Sequence, residues 1–195
     1  MRAIRLLLLV TTAFFTLSGR DARPPARRIL ESSARSHIAL SADGDHVSVG
    51  FDDGSAVSFE LRSVSRGRAS LTLGASTIGG GEDDLVLDRG TVTELYVRGP
   101  SVVEQVFVVA APPASTRGDV DVVVEVTGLH PRRAEPGRIA LAEETGHERL
   151  AYGVVRVRDS EGRLLPSSVG AVGNTIVLRY DDRAATYPVI VDPSM

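Results

Sequence analysis

Residues 94–110 read ELYVRGPSVVEQVFVVA, and the fold follows from how that stretch is parsed. Gly99-Pro100 is a tight turn between two strands. The second strand, 102–110, is the most continuously apolar segment of the chain after its leader. Side chains alternate between the faces of a strand, so Glu104 shares a face with Val102 and Val106, and Gln105 with Val103 and Phe107. One of these two polar groups faces the interior, where an unmatched group costs about 1–3 kcal/mol and must find a partner. The expected partner of Glu104 is Arg98, across the turn. No second carboxylate is placed to work with Glu104, so an acid–base catalyst is not expected there.

Outward from this hairpin the same period of two recurs, broken by turn residues every eight to twelve positions. Val47, Val49 and Phe51 alternate with Ser48 and Gly50; after Asp52-Asp53-Gly54, Val57, Phe59 and Leu61 alternate with Ser58 and Glu60. An Asp-Gly between two alternating runs predicts a hairpin. Val120, Val122, Val124 and Val126 form one face of a later strand, with Asp119, Asp121 and Glu125 on the other. A last strand is expected over 186–191, at a sheet edge because Pro188 has no ladder donor. No amphipathic helix is expected after the leader. The prediction is an all-β, antiparallel sandwich or flattened barrel of about 12 short strands.

Arg2 and Arg5, the apolar run 6–15 and the small polar exit 16–22 have the order of a secretory signal peptide, cleaved after Gly19 or Ala22. The apolar core is too short to span a bilayer of about 30 Å, and no later segment reaches that length. Residues 23–35 are expected to be a flexible Pro- and Arg-rich linker, with one helical turn at 29–34. Residues 36–193 then form one β-sandwich domain, with a possible subdivision at 111–118. The expected location is secreted, cell-surface or periplasmic. With 0 Cys there are no disulfides, and with 0 Trp and 5% aromatic residues the core is aliphatic. A net charge of −3, about −5 once the leader's three arginines and one aspartate are gone, argues against nucleic acid as a partner.

At the central hairpin, Glu94, Tyr96, Gly99, Pro100, Glu104, Gln105 and Phe107 stand in a pattern followed by Pro112-Pro113. Further on come Leu150, Tyr152, Asp159, Gly162, Arg163, Leu165, Pro166, Asp181, Asp182, Tyr187, Pro188, Asp192 and Pro193. These positions, over residues 36–193, resemble the N-terminal module of large secreted bacterial proteins that carry integrin-α-like FG-GAP β-propeller repeats. The chain departs from the family where a Trp becomes Leu95, an Asn becomes Arg98 and a Gly becomes Val106. The resemblance implies a cap or adaptor without its propeller, since Met195 follows closely on Asp192-Pro193, and it brings no catalytic residues with it. The expected partner is another secreted or surface protein, met through an edge strand or the strand pair 94–110. Tyr96, Arg98, Gly99, Pro100, Glu104, Gln105, Phe107 and Tyr187 are the interaction or structural candidates.

Other chemistry is weaker in the sequence. Asp52, Asp53, Asp181 and Asp182 are the candidates for Ca²⁺, but they sit at turns, where Asp bonds its own backbone, and no spaced loop with a distal Glu is present. His37, His46, His130 and His147 lack metal-ligand spacing. A polysaccharide site needs an aromatic platform, for which the chain offers Tyr96, Tyr152, Tyr180 and Tyr187. No cofactor is expected.

Overall fold

A computed structural model describes residues 27–30, 38–99 and 102–193 of the chain. Residues 1–22, read as a signal peptide, and also His37 and Pro100 lie outside the described residues. In chain order the strands are β1 (Arg27–Leu30), β2 (Ile38–Asp43), β3 (His46–Phe51), β4 (Ala56–Arg66), β5 (Ala69–Ser70) and β6 (Thr77–Gly79). They continue with β7 (Asp84–Asp88), β8 (Val92–Arg98), β9 (Val103–Val109), β10 (Asp119–Thr127), β11 (His130–Glu135) and β12 (Arg138–Ala142). Then follow β13 (Glu148–Tyr152), β14 (Val155–Arg158), β15 (Leu164–Leu165), β16 (Ser167–Val172), β17 (Thr175–Asp181) and β18 (Val189–Pro193). The described residues contain no helix, so none is long and apolar enough to cross a membrane. The protein is all-β, as its alternating residues predict, with more strands than the pattern showed. β5 and β15, of two residues each, are too short to carry an alternation.

All pairings are antiparallel. One sheet runs β1-β2-β3-β4-β10-β17-β16, with β5 on the end of β4; a second runs β15-β14-β18-β9-β8-β7-β6; a third is β11-β12-β13. A single core joins them, from Ile38, Val57 and Phe59 through Val122, Val124 and Leu178 to Phe107, Tyr152 and Val191. Burying one such Phe or Leu side chain contributes roughly 1.5–3 kcal/mol. In β4 the buried positions run Val57, Phe59, Leu61 and then Val64. The pairing with β10 shifts between Val123 and Val124, skipping Arg62, and this bulge returns Val64 to the core face.

The hairpin 94–110 forms as read, with Arg98 opposite Val103 and Val92 opposite Val109. It lies inside the second sheet, and a smaller apolar group of Val86, Leu95 and Val106 occupies the face away from the main core. Both faces are thus apolar, which accounts for the unbroken hydrophobic run in β9. Leu95 and Val106 on that outer face are themselves buried. The last strand departs from expectation. β18 pairs with both β9 and β14, so it is central and not at an edge. Pro188 precedes it, after a cis Tyr187–Pro188 bond, and its missing donor falls outside the ladder. Arg27–Leu30, within the stretch read as a linker, pairs with β2 as an edge strand.

Two turns depend on glycine. Gly54 closes the β3–β4 hairpin at φ +82°, as the Asp-Gly signal predicts. Gly128, at φ +93°, follows β10, and a Cβ there would lie 2.5 Å from the Ala56 carbonyl oxygen. Gly128→Ala is expected to destabilise the fold by at least about 2 kcal/mol, from left-handed strain plus a clash with backbone that cannot move alone. Urea unfolding should show a lower midpoint at unchanged slope.

Candidate functional site

The polar residues of the central hairpin meet inside the protein. Gln105 is the buried member of the Glu104-Gln105 pair. Its amide nitrogen donates to the Tyr96 hydroxyl at 2.6 Å, and its amide oxygen accepts from Tyr152. The Tyr96 hydroxyl donates onward to Glu94 Oε2 at 3.2 Å, and Arg89 Nε donates to Glu94 Oε1 at 2.8 Å. Arg89 then reaches Asp45 through its carboxylate (2.8 Å) and carbonyl (3.0 Å). Every donor in this chain has an acceptor, and only Asp45, 46% exposed, touches solvent to any extent. Burial pushes the Glu94 carboxyl up, against the downward pull of Arg89 and Tyr96. Burial likewise holds both tyrosine hydroxyls well above their ordinary range. The chain satisfies the polar groups of a closed core and offers no atom to a solute. Tyr96, fully buried, cannot serve as a sugar platform.

Arg98 does not pair with Glu104. Glu104 stands opposite Val97, so it shares that residue's face while Arg98 points to the other. Arg98 bonds the Asp83 carboxylate at 2.9 Å and reaches the carbonyls of Leu30 and Ile38 at 3.4 and 3.5 Å, tying β8 to the first sheet. Gly99 donates to the Val102 carbonyl at 2.7 Å. Phe107 is fully buried. Pro100 lies outside the described residues.

The acidic pairs are likewise occupied. Asp53 bonds Arg149 at 2.6 Å and caps Ser55; Arg149 also stacks over Phe51 at 4.6 Å, fastening the third sheet to the β3–β4 turn. Asp52 is exposed beside it. Asp181 bonds Arg183 at 2.7 Å. Asp182 is completely buried, and its carboxylate accepts from Arg66, from the Tyr187 hydroxyl at 2.8 Å and from the Gly118 N–H at 2.8 Å. Arg66 also donates to the carbonyls of Ala114 and Thr116. The loop 111–118, read as a possible boundary, is thereby strapped to the last strands. Burial raises the Tyr187 hydroxyl to about 12. Among the described residues no three His, Asp or Glu side chains come together to hold a metal.

Asp159 is a buried turn residue that periodicity does not reveal. It accepts from the N–H groups of Glu161 (3.0 Å), Arg163 (2.9 Å) and Thr186 (3.1 Å), and from Arg163 Nε at 2.8 Å. Burial pushes its carboxyl up, but the Arg163 guanidinium and these N–H donors outweigh that and hold it down at about 2. A carboxyl depressed in the folded state stabilises the fold above its ordinary value near 4 and loses that contribution as pH falls toward 2. The acid-side loss of stability should therefore be shallower in Asp159→Asn than in the parent chain between those pH values, with thermal midpoints as the readout.

Among the described residues an open groove of about 530 Å³ lies between the β11–β12 hairpin (Arg133–Gly137) and the start of β16 (Ser167–Val169). The fold and these sites define an antiparallel β-sandwich whose buried charges are structural. No family model, characterised protein or solved structure gives a significant match to the chain.

Proposed function

We propose that the chain is an exported, non-enzymatic structural or interaction module, of the kind that precedes FG-GAP propeller repeats. One observation carries this reading. Eight of the positions that resemble the family bond to one another: Glu94, Tyr96, Gln105 and Tyr152 in one chain, Asp159 with Arg163 in a turn, Asp182 with Tyr187 at the strapped loop. Motif residues spent on internal hydrogen bonds support a scaffold, because a catalytic carboxylate must reach a substrate. Export rests on the leader-like order of residues 1–22 and on a fold that stands without cysteine.

The test is cross-linking in cells that produce the protein. The expected result is a chain outside the cytoplasm, joined to another exported protein. A chain retained in the cytoplasm, or exported but never joined to a partner, would refute the proposal.

A further inference from the structure

We propose that the groove beside β16 takes up an extended, acidic peptide segment of a partner protein as an added strand. This rests on reading the chain as an interaction module and says where on it the partner binds.

The open edge comes first. Asp181 N–H bonds the Pro166 carbonyl at 3.0 Å, in line with the register that puts Ser168 opposite Arg179 and Gly170 opposite Val177. Main-chain groups alternate in direction along an antiparallel strand, so those of Ser167, Val169 and Ala171 point away from β17. Among the described residues no main-chain partner meets them. Val169 is itself only 7% exposed, yet its N–H and C=O face this groove unpaired. The edge is also held in place, because Ser167 Oγ donates to the Val155 carbonyl at 2.8 Å. A preformed edge loses little freedom on binding.

The edge is unguarded as well. Proteins blunt exposed edges with charge, proline or short length. β11 carries Pro131, Arg132, Arg133 and Glu135, and β13 carries Glu148 and Arg149. β1 has two arginines, and β6, β15 and β5 have three residues or fewer. β16 reads SSVGAV, without charge or proline, and Val172 at its end is 73% exposed. Such an edge in a native fold is a template for strand addition.

The surroundings select the occupant. The hairpin Arg133–Gly137 walls the groove opposite Ser167–Val169, which excludes the flat approach of a second sheet. Arg133 and Glu135 both line the groove, and Arg133 is exposed without a carboxylate partner among the described residues. An acidic side chain on the incoming strand complements Arg133.

Ala171→Pro separates this from a general effect on folding. Its N–H makes no bond within the protein, so proline removes an edge donor at no cost to the β16–β17 ladder. The purified chain would be panned against random linear peptides, and the best binder synthesised with a fluorescent label. The expected binder is rich in β-branched residues with at least one Asp or Glu, and it slows amide exchange at Ser167, Val169 and Ala171. Ala171→Pro should weaken it at least about tenfold, the loss of about one hydrogen bond, at an unchanged thermal midpoint. Arg133→Glu should weaken it further. Binding that Ala171→Pro leaves intact, protection at another edge, or no binder at all would overturn the proposal. Self-association abolished by Ala171→Pro would also overturn it, assigning the edge to a second copy. If the Ala171→Pro chain still cross-links to its partner in cells, the module reading stands and the groove falls.

Discussion

Asp182→Ala should lower stability by about 3–5 kcal/mol, the largest loss expected from any single carboxylate here. Removing one partner of a buried ion pair leaves the other charge uncompensated, and that penalty falls in this range. The Arg66 side chain is 11% exposed and its Nε has no partner, so it cannot recover its hydration without moving. The Gly118 N–H and the Tyr187 hydroxyl lose their acceptor at the same time. For a chain of this size the thermal midpoint should fall by roughly 10 °C or more. Asp182→Asn keeps an acceptor for Gly118 and should lose less. Amide exchange should accelerate first in the loop 111–118, because Arg66 holds Ala114 and Thr116 there. A loss below about 1 kcal/mol would show that the strap does not hold the loop.

Glu94→Ala is expected to be nearly as damaging, for a related reason with a different remedy. Arg89 is buried, and without Glu94 its remaining carboxylate is Asp45 at the surface. Tyr96 also loses the acceptor for its hydroxyl. A loss of about 3 kcal/mol is expected. Removing both charges with Arg89→Met and Glu94→Leu should cost less than the two single changes together, by at least about 1 kcal/mol, since apolar side chains of similar size replace a buried pair at little net cost. Strict additivity in that double-mutant cycle would mean the two residues are not coupled.

These two centres mark the boundary of what the sequence discloses. Alternation identifies the faces of β3, β4 and β10, since a half-buried strand repeats every two residues. It stops at Leu61 because the bulge at Arg62 resets the period, and a bulge has no sequence mark of its own. The position of β18 was hidden for another reason: Pro188 is informative only about the residue that would use its N–H, and that residue lies outside the strand. The polar network was half visible. Glu104 and Gln105 announce that one of them is buried, but the partners of Gln105 come from β8 and from β13, 47 residues away in the case of Tyr152. Arg89, in an Asp-Arg-Gly turn, gives no sign that its side chain turns inward. The groove beside β16 depends on which strands are left without a neighbour, a property of the assembled sheets.

The place of β18 bears on how the molecule is made. β9 and β14 meet only through this strand, and Val191 pairs with Phe107, 84 positions earlier in the chain. A nascent polypeptide holds the β6-to-β9 half of that sheet for as long as synthesis takes to reach residue 193, with the inner edge of β9 uncovered throughout. Such late, distant closure is slow and leaves a sticky intermediate. The chain therefore suits a route in which it is kept unfolded until its whole length can collapse at once.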